Sequence, residues 1–263
     1  MDGSKLMGDK NKRVLVYSRS GGGKTSLIGK VLELDSMCPL YVFDFDLRIN
    51  SILAVVDHTR IVQHLHYDQY RDGTSAGSAF SSAEAKLRDL ATELAQGRGP
   101  RTVALDTLTF MEKSIGARVL LMDGKPSNAP LQLNHYKSII AQLEDFISKL
   151  CALDCNVIVT AHEEIEKDEI TGATTRGIRV VGKALPNVLP GYFNEVWYAE
   201  VQTGTAANPL PQYKIRTAPT AQIIARSCYA GRLLPLEDQG IWRKLQAYDT
   251  EAELASMAQN KKP

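Results

Sequence analysis

A β-branched apolar run, Val14-Leu15-Val16-Tyr17, feeds straight into Ser18-Arg19-Ser20-Gly21-Gly22-Gly23-Lys24-Thr25-Ser26, after which Leu27 and Ile28 resume an apolar pattern. No other stretch limits so tightly what the chain can fold into. Consecutive glycines between a strand and a helix let backbone N–H groups converge on one point, because Gly takes up the required angles and admits close approach. Gly23-Lys24-Thr25 matches the end of a Walker A phosphate loop, with Ser18 standing where that pattern begins with Gly. The spacing predicts a phosphate chain cradled by Ser20, Gly21, Gly22, Gly23, Lys24, Thr25 and Ser26, with Lys24 as a mobile cation for the β- and γ-phosphates. The Thr25 hydroxyl is then offered to Mg²⁺, and the following helix points its positive end at the anion. The expected ligand is a nucleoside triphosphate; the alternative is an ordinary glycine turn between a strand and a helix.

The rest of the chain reads as alternating strands and helices, an α/β pattern. Helical spacing predicts a helix from Lys24 to about Ser36, and Leu40-Tyr41-Val42-Phe43-Asp44-Phe45-Asp46 is a strand of the buried parallel type. Its carboxylates, Asp44 and Asp46, fall where such sheets place ligands, or else cap the segment that follows. Arg60 to Tyr67 reads as a third short strand with His64 and His66 on one face, and Asp68 to Gly77 as a loop. A helix follows from Ser81 to about Gln96. Thr102 to Thr109 is an apolar run closing on Asp106, as a Walker B element would, about 80 residues after Lys24-Thr25; Asp106 is expected to hold Mg²⁺ through water. Beyond a breaker-rich loop at 123–130, a long helix is expected from Leu131 to Leu153, and Asn156 to His162 forms another buried strand with His162 at its tip. Thr171 to Arg179 reads as a flexible hairpin or exposed loop. Three short strands are expected at 195–201, 212–217 and 222–226, then helical spacing from Leu236 through Trp242, Leu245 and Leu254, and a frayed Lys261-Lys262-Pro263.

A chain of 263 residues with 44% hydrophobic content can bury a sizeable core, and one domain is expected. Residues 1–12 are read as a flexible segment, 13–236 as the domain and 237–263 as a helical tail. The net charge of +1 hides an uneven distribution: residues 171–236 carry seven Lys and Arg against Glu195 and Glu200. No apolar run approaches the length of a membrane span and Met1 to Arg13 has no apolar core of a leader, so a cytoplasmic protein without a membrane partner is expected. Cys38, Cys151, Cys155 and Cys228 lack zinc-site spacing and are expected to be buried thiols.

With the glycine-rich loop, the Asp44/Asp46 strand, the Asp106 strand and Val159-Thr160-Ala161-His162 in this order, the chain resembles the RecA-like P-loop ATPases. It looks most like phage-encoded nucleotide-binding proteins of that superfamily, a single-strand annealing and recombination group. Lys183 to Val196, and Ile215-Arg216-Thr217 through Ala225-Arg226-Ser227, are similar to that group's later motifs, so the likeness spans about residues 12–230. The resemblance implies a mostly parallel sheet flanked by helices, with added C-terminal antiparallel strands. It also implies ATP and Mg²⁺ as cofactors and single-stranded DNA as a ligand, bound by an oligomeric ring or filament of this chain with a single-strand DNA-binding protein as a further partner. If the chain is phage-encoded, its location is a bacterial host's cytoplasm.

Asp46 matches the carboxylate that polarises the attacking water, where the family usually has Glu. His162 matches the γ-phosphate sensor, and Glu163 to Gly182 would be the DNA-binding loop, with Arg176, Arg179 and Lys183 as its cations. Lys214 and Arg216, two apart on one strand face, match a pair that completes the neighbouring subunit's site; their alternative is plain edge-strand charge. Two other classes remain beside the DNA-transaction ATPase. One is a small-molecule or nucleotide kinase, against which the Lys214/Arg216 strand argues, and the other is a non-hydrolysing ATP-dependent assembly switch, which Asp46 makes credible.

Overall fold

A computed structural model describes residues 11–73, 75–169, 172–204, 209–229 and 232–259, with side chains as far as Thr250. The expectations placed on residues 1–10, Thr171, the Leu254 side chain and 261–263 lie outside them. Nine strands are described: β1 (Arg13–Ser18), β2 (Leu40–Asp44), β3 (Leu65–Gln69), β4 (Thr102–Asp106), β5 (Asn156–Lys167), β6 (Thr174–Ile178), β7 (Glu195–Gln202), β8 (Gln212–Arg216) and β9 (Leu236–Asp238). They are ordered β3-β2-β4-β5-β1-β7-β8-β9, with β6 paired to the far end of β5. Pairings from β3 through β7 are parallel, whereas β5–β6, β7–β8 and β8–β9 are antiparallel. This is the mostly parallel sheet with C-terminal antiparallel strands that the sequence predicts.

Alternation along the strands builds two cores, as the strand period of two requires. On β1, Leu15 and Tyr17 enter one core together with Phe43, Leu105 and Val159. Val14 and Val16 enter the other with Val42, Ile158 and Trp197. The first core is covered by α3 (Ser78–Ala95), α4 (Leu108–Met122) and α5 (Leu133–Cys151), the second by α1 (Lys24–Gly29) and the start of α7 (Ile241–Gln259). Trp242 of α7 packs against Trp197 with 5.0 Å between ring centroids and the rings tilted by 50°, and its indole N–H donates to the Leu27 carbonyl at 2.8 Å. The expected boundary between residues 236 and 237 falls inside β9. Among the described residues, no helix is long and apolar enough to cross a membrane.

Several elements differ from the sequence reading. The helix after the loop ends at Gly29 and gives way to 3₁₀ turns at Lys30–Glu33 and Asp35–Met37. Gly29 is a weak helix former, and a Cβ there would meet Ile52 at 2.8 Å, so close packing has selected the residue that ends the helix. Residues His58–His64 form helix α2, capped by the Asp57 carboxylate on the Thr59 N–H. His64 therefore does not share a strand face with His66. Helix α3 starts three residues earlier than its Ser81 signal, because Asp72 and Ser114 accept from the N–H groups of Ala79 and Phe80. Residues 222–226 make only isolated bridges to Arg176, Val196 and Thr220, and the strand beside β8 is β9 instead. A short helix, α6, spans Leu185–Val188. Cys38 and Cys155 are buried and Cys151 is half-buried; Cys228 is exposed, held at the rim by the bond from its thiol to Glu195 Oε1 at 2.9 Å.

Candidate nucleotide site

Parallel register brings the C-terminal ends of β1, β2, β4 and β5 to one edge of the sheet, where ligands of such sheets bind. Ser18 lies beside His162, and Asp44 beside Asp106. The loop from Ser18 to Gly23 is shaped by what cannot fit in it. A Cβ on Gly22 would lie 2.2 Å from Ser18 Oγ, so Ser at 18 makes Gly at 22 obligatory. Gly23 has φ 84°, in the left-handed region, and a Cβ there would collide with Tyr213 Cδ1 at 2.8 Å and Gln239 Nε2 at 2.7 Å. No side chain caps α1, so its first N–H groups are free to serve a ligand.

Lys24 is 6% exposed and its ammonium folds back onto the loop, donating to Ser18 O and Ser18 Oγ at 3.1 Å and Arg19 O at 3.0 Å. Burial lowers its pKa, and the nearby carboxylates of Asp106, Asp46 and Glu163 oppose that shift. Thr25 Oγ1 donates to Asp106 Oδ2 at 2.6 Å, which closes the gap between the loop and the β4 tip. Asp106 is fully buried and its other oxygen accepts from Thr160 Oγ1 at 2.5 Å; desolvation pushes its pKa up to about 6. The two hydroxyl bonds favour the ionised form but only partly offset the burial.

The two carboxylates after β2 separate by role. Asp44 is fully buried and accepts from Arg48 N, Ile49 N and Gln69 Nε2 at 3.3–3.4 Å, so it holds the turn. Asp46 lies at the site, within 3.9 Å of Arg48 Nε, and feels the Lys24 charge; burial raises its pKa. His162 is not at a strand tip, because β5 runs on to Lys167 and turns back as β6. Its backbone joins three parts: the N–H donates to Thr109 Oγ1 at 3.0 Å, and the carbonyl accepts from Arg179 N at 2.8 Å. Its Nε2 is buried without a hydrogen-bond partner. Burial, followed by the charges of Lys24, Arg179, Arg48 and Lys113, lowers its pKa to about 4, so the ring is neutral at pH 7.

The side chains of the other expected site residues make different contacts. Arg176 is tied to Glu163 Oε2 at 3.0 Å, and that carboxylate also accepts from Tyr198 OH at 2.9 Å, so the cation is neutralised within the chain. Arg179 and Lys183 are exposed at the base of the β5–β6 hairpin. Arg216 reaches Glu200 at 3.5 Å on the neighbouring strand and has a buried, unpartnered Nε. Among the described residues no hydrogen bond or ion pair links Lys214 or Arg216 to the loop. Sequence reasoning missed Thr160, Tyr213 and Gln239. Thr160 becomes visible once β5 is registered against β4, which sets Val159 beside Leu105 and hence Thr160 beside Asp106.

A family model described as an AAA domain matches residues 10–229, which covers most of the chain. The chain belongs to that family. A solved structure described as a prototypical ATPase from the type III secretion system of pathogenic bacteria is similar to this AAA domain at 12% identity. The likeness covers 90% of this chain and 62% of that one with a TM-score of 0.47, so the chain spans less than two thirds of that solved relative. No curated protein matches the chain. AAA ATPases use ATP with Mg²⁺, and the donor set in this AAA domain fits that pair. Gly22 and Gly23 let Ser18, Tyr213 and Gln239 close around the loop, and the N–H groups that open α1 carry no side-chain cap. The Thr25 hydroxyl and Asp106 carboxylate supply hard oxygens within 2.6 Å of each other, as suits a cation that keeps several waters. Lys24 can exchange three neutral acceptors for phosphate oxygens without leaving the loop.

Proposed function

We propose that this AAA domain binds and hydrolyses ATP with Mg²⁺, the backbone from Ser20 to Ser26 holding the phosphates and Thr25 with Asp106 holding the metal. The observation that carries the reading is the 2.6 Å bond between Thr25 and Asp106, which unites two segments 81 residues apart in the chain. Bound Mg²⁺ would supply positive charge at the terminal phosphates. Lys24 adds a second charge there, Asp46 is the base that orients water, and neutral His162 offers Nε2 to the γ-phosphate side. The finer reading is a phage-type recombination or annealing ATPase acting on single-stranded DNA as a homo-oligomer. It draws support from the basic 171–236 stretch and from the hairpin that hangs on His162, with Arg179 and Lys183 as its exposed cations. Lys214 and Arg216 are proposed to act on a neighbour's nucleotide.

Asp46 favours a second reading, an ATP-dependent assembly switch that turns over slowly, since its carboxylate is one methylene shorter than Glu and is drawn toward Arg48. Steady-state ATP turnover with and without single-stranded DNA separates the two. The ATPase reading expects turnover that DNA stimulates, and the switch reading expects binding without turnover. Turnover that a small-molecule acceptor, and not DNA, stimulates would point to a kinase.

A further inference from the structure

We propose that Tyr213 and Gln239 form the seat of the nucleobase, which makes the loop a site for nucleoside triphosphates rather than for bare polyphosphate. The inference rests on the phosphate-loop reading and adds to it the half of the ligand that the loop cannot recognise. Direction comes first. The Thr25–Asp106 contact fixes the metal and the terminal phosphates on the β4 side of β1, and the sheet order puts β7, β8 and β9 on the opposite side. A nucleotide with its terminal phosphates toward Asp106 therefore extends its sugar and base toward β8 and β9.

Tyr213 from β8 and Gln239 from the β9–α7 turn meet the loop on that side. Both touch Gly23, where a Cβ would collide with each of them, so the missing side chain lets an aromatic ring and a carboxamide flank the phosphate cradle. A cavity of about 540 Å³ opens beside them, lined also by Lys30, Glu33, Trp242 and Arg243. That volume is within the range of small-ligand sites. Two of its cations, Lys30 and Arg243, bind Glu33 at 3.0 and 2.5 Å, and Lys214 and Asp238 also line it. Tyr213 is 40% exposed, which leaves part of its ring open for stacking. The Gln239 amide N–H makes a long contact of 3.5 Å to Gly23 O, and its oxygen has no hydrogen-bond partner among the described residues. The carboxamide thus has both a donor and an acceptor to offer a base edge.

Equilibrium titration of the full chain with ATP and with inorganic tripolyphosphate, both with Mg²⁺, tests the assignment in the wild type, Tyr213→Ala, Tyr213→Phe and Lys24→Ala. Removing a stacked aromatic should weaken ATP binding by on the order of tenfold or more, leave tripolyphosphate binding within about twofold, and be rescued by Phe. Equal ATP affinity in Tyr213→Ala and wild type overturns the base seat. So does equal loss for ATP and tripolyphosphate, which would make Tyr213 a prop for the loop. Lys24→Ala should weaken both ligands; if it weakens neither, the phosphate-loop reading itself fails, a result distinct from failure of the base seat.

Discussion

Asp106 carries a cost in the metal-free protein that its ligand would remove. The folded chain keeps the carboxyl proton up to about pH 6, whereas an exposed carboxyl releases it near 3.8. Between those values the folded state binds more protons than the unfolded chain, so Asp106 lowers stability as pH rises through the window and costs nothing below it. Asp106→Asn should therefore melt at or above the wild type at pH 8 without Mg²⁺, with the gap closing toward pH 4. The same variant should lose most Mg²⁺-dependent turnover. A lower melting temperature at pH 8 would contradict the burial argument. Gly22 is governed by its neighbour: a methyl group would enter the space of Ser18 Oγ. Gly22→Ala should weaken ATP binding by roughly tenfold or more, and Ser18→Gly in the same chain should restore part of it, a coupling typical of residues in contact. Additive losses in the double variant would remove Ser18 as the cause. Ser18 was legible as a departure from the Walker pattern, but its grip on Gly22 was not, because sequence spacing does not reveal which side chain fills a turn.

Strand identity was legible wherever a solid apolar run met a carboxylate or a glycine, as at β1, β2 and β4. Elements set by tertiary contacts were not. Strand β5 outruns its apolar stretch because Glu163 to Lys167 pair with β6, and the sequence there shows only mixed charge. Strand β9 is three residues long and is defined by its register with β8, so it left no periodic trace before α7. The first turns of α7 are bound into the second core by Ile241, Trp242 and Leu245, and the Trp242 bond to the Leu27 carbonyl joins α7 to the helix that follows the phosphate loop. Trp242→Ala should cost about 3–5 kcal/mol, as removal of a buried aromatic does, and should also weaken ATP binding by loosening α1. Thermal melts and ATP titration would check both effects; an unchanged melting temperature would mean that α7 is dispensable to the core.

Across the whole molecule, the site edge and the β5–β6 hairpin meet at His162, whose backbone bonds to Thr109 at the start of α4 and to Arg179 just past β6, while the Thr109 hydroxyl also donates to the Arg179 carbonyl at 3.3 Å. That continuity is the physical basis for proposing that nucleotide state reaches the hairpin. With Arg176 already paired to Glu163, Arg179→Ala with Lys183→Ala should lower affinity for single-stranded DNA and flatten its salt dependence by about one unit of log–log slope per lost phosphate contact. Binding curves that overlay the wild type across salt would leave these residues as a solvated basic face. If Lys214 and Arg216 complete a neighbour's site, mixing Lys24→Ala with Arg216→Ala protein should recover turnover above either alone, because mixed interfaces pair an intact loop with an intact cation. Mixed assemblies with no recovery would return both residues to edge-strand charges. All of these rest on the loop holding ATP with its metal, and titration of ATP into the wild type, Lys24→Ala and Asp106→Asn with and without Mg²⁺ tests that claim most directly. Saturable binding that Mg²⁺ strengthens in the wild type, is lost in Lys24→Ala and no longer responds to Mg²⁺ in Asp106→Asn is the expected result. Absence of binding in the wild type, or equal Mg²⁺-dependent affinity in all three proteins, would contradict it.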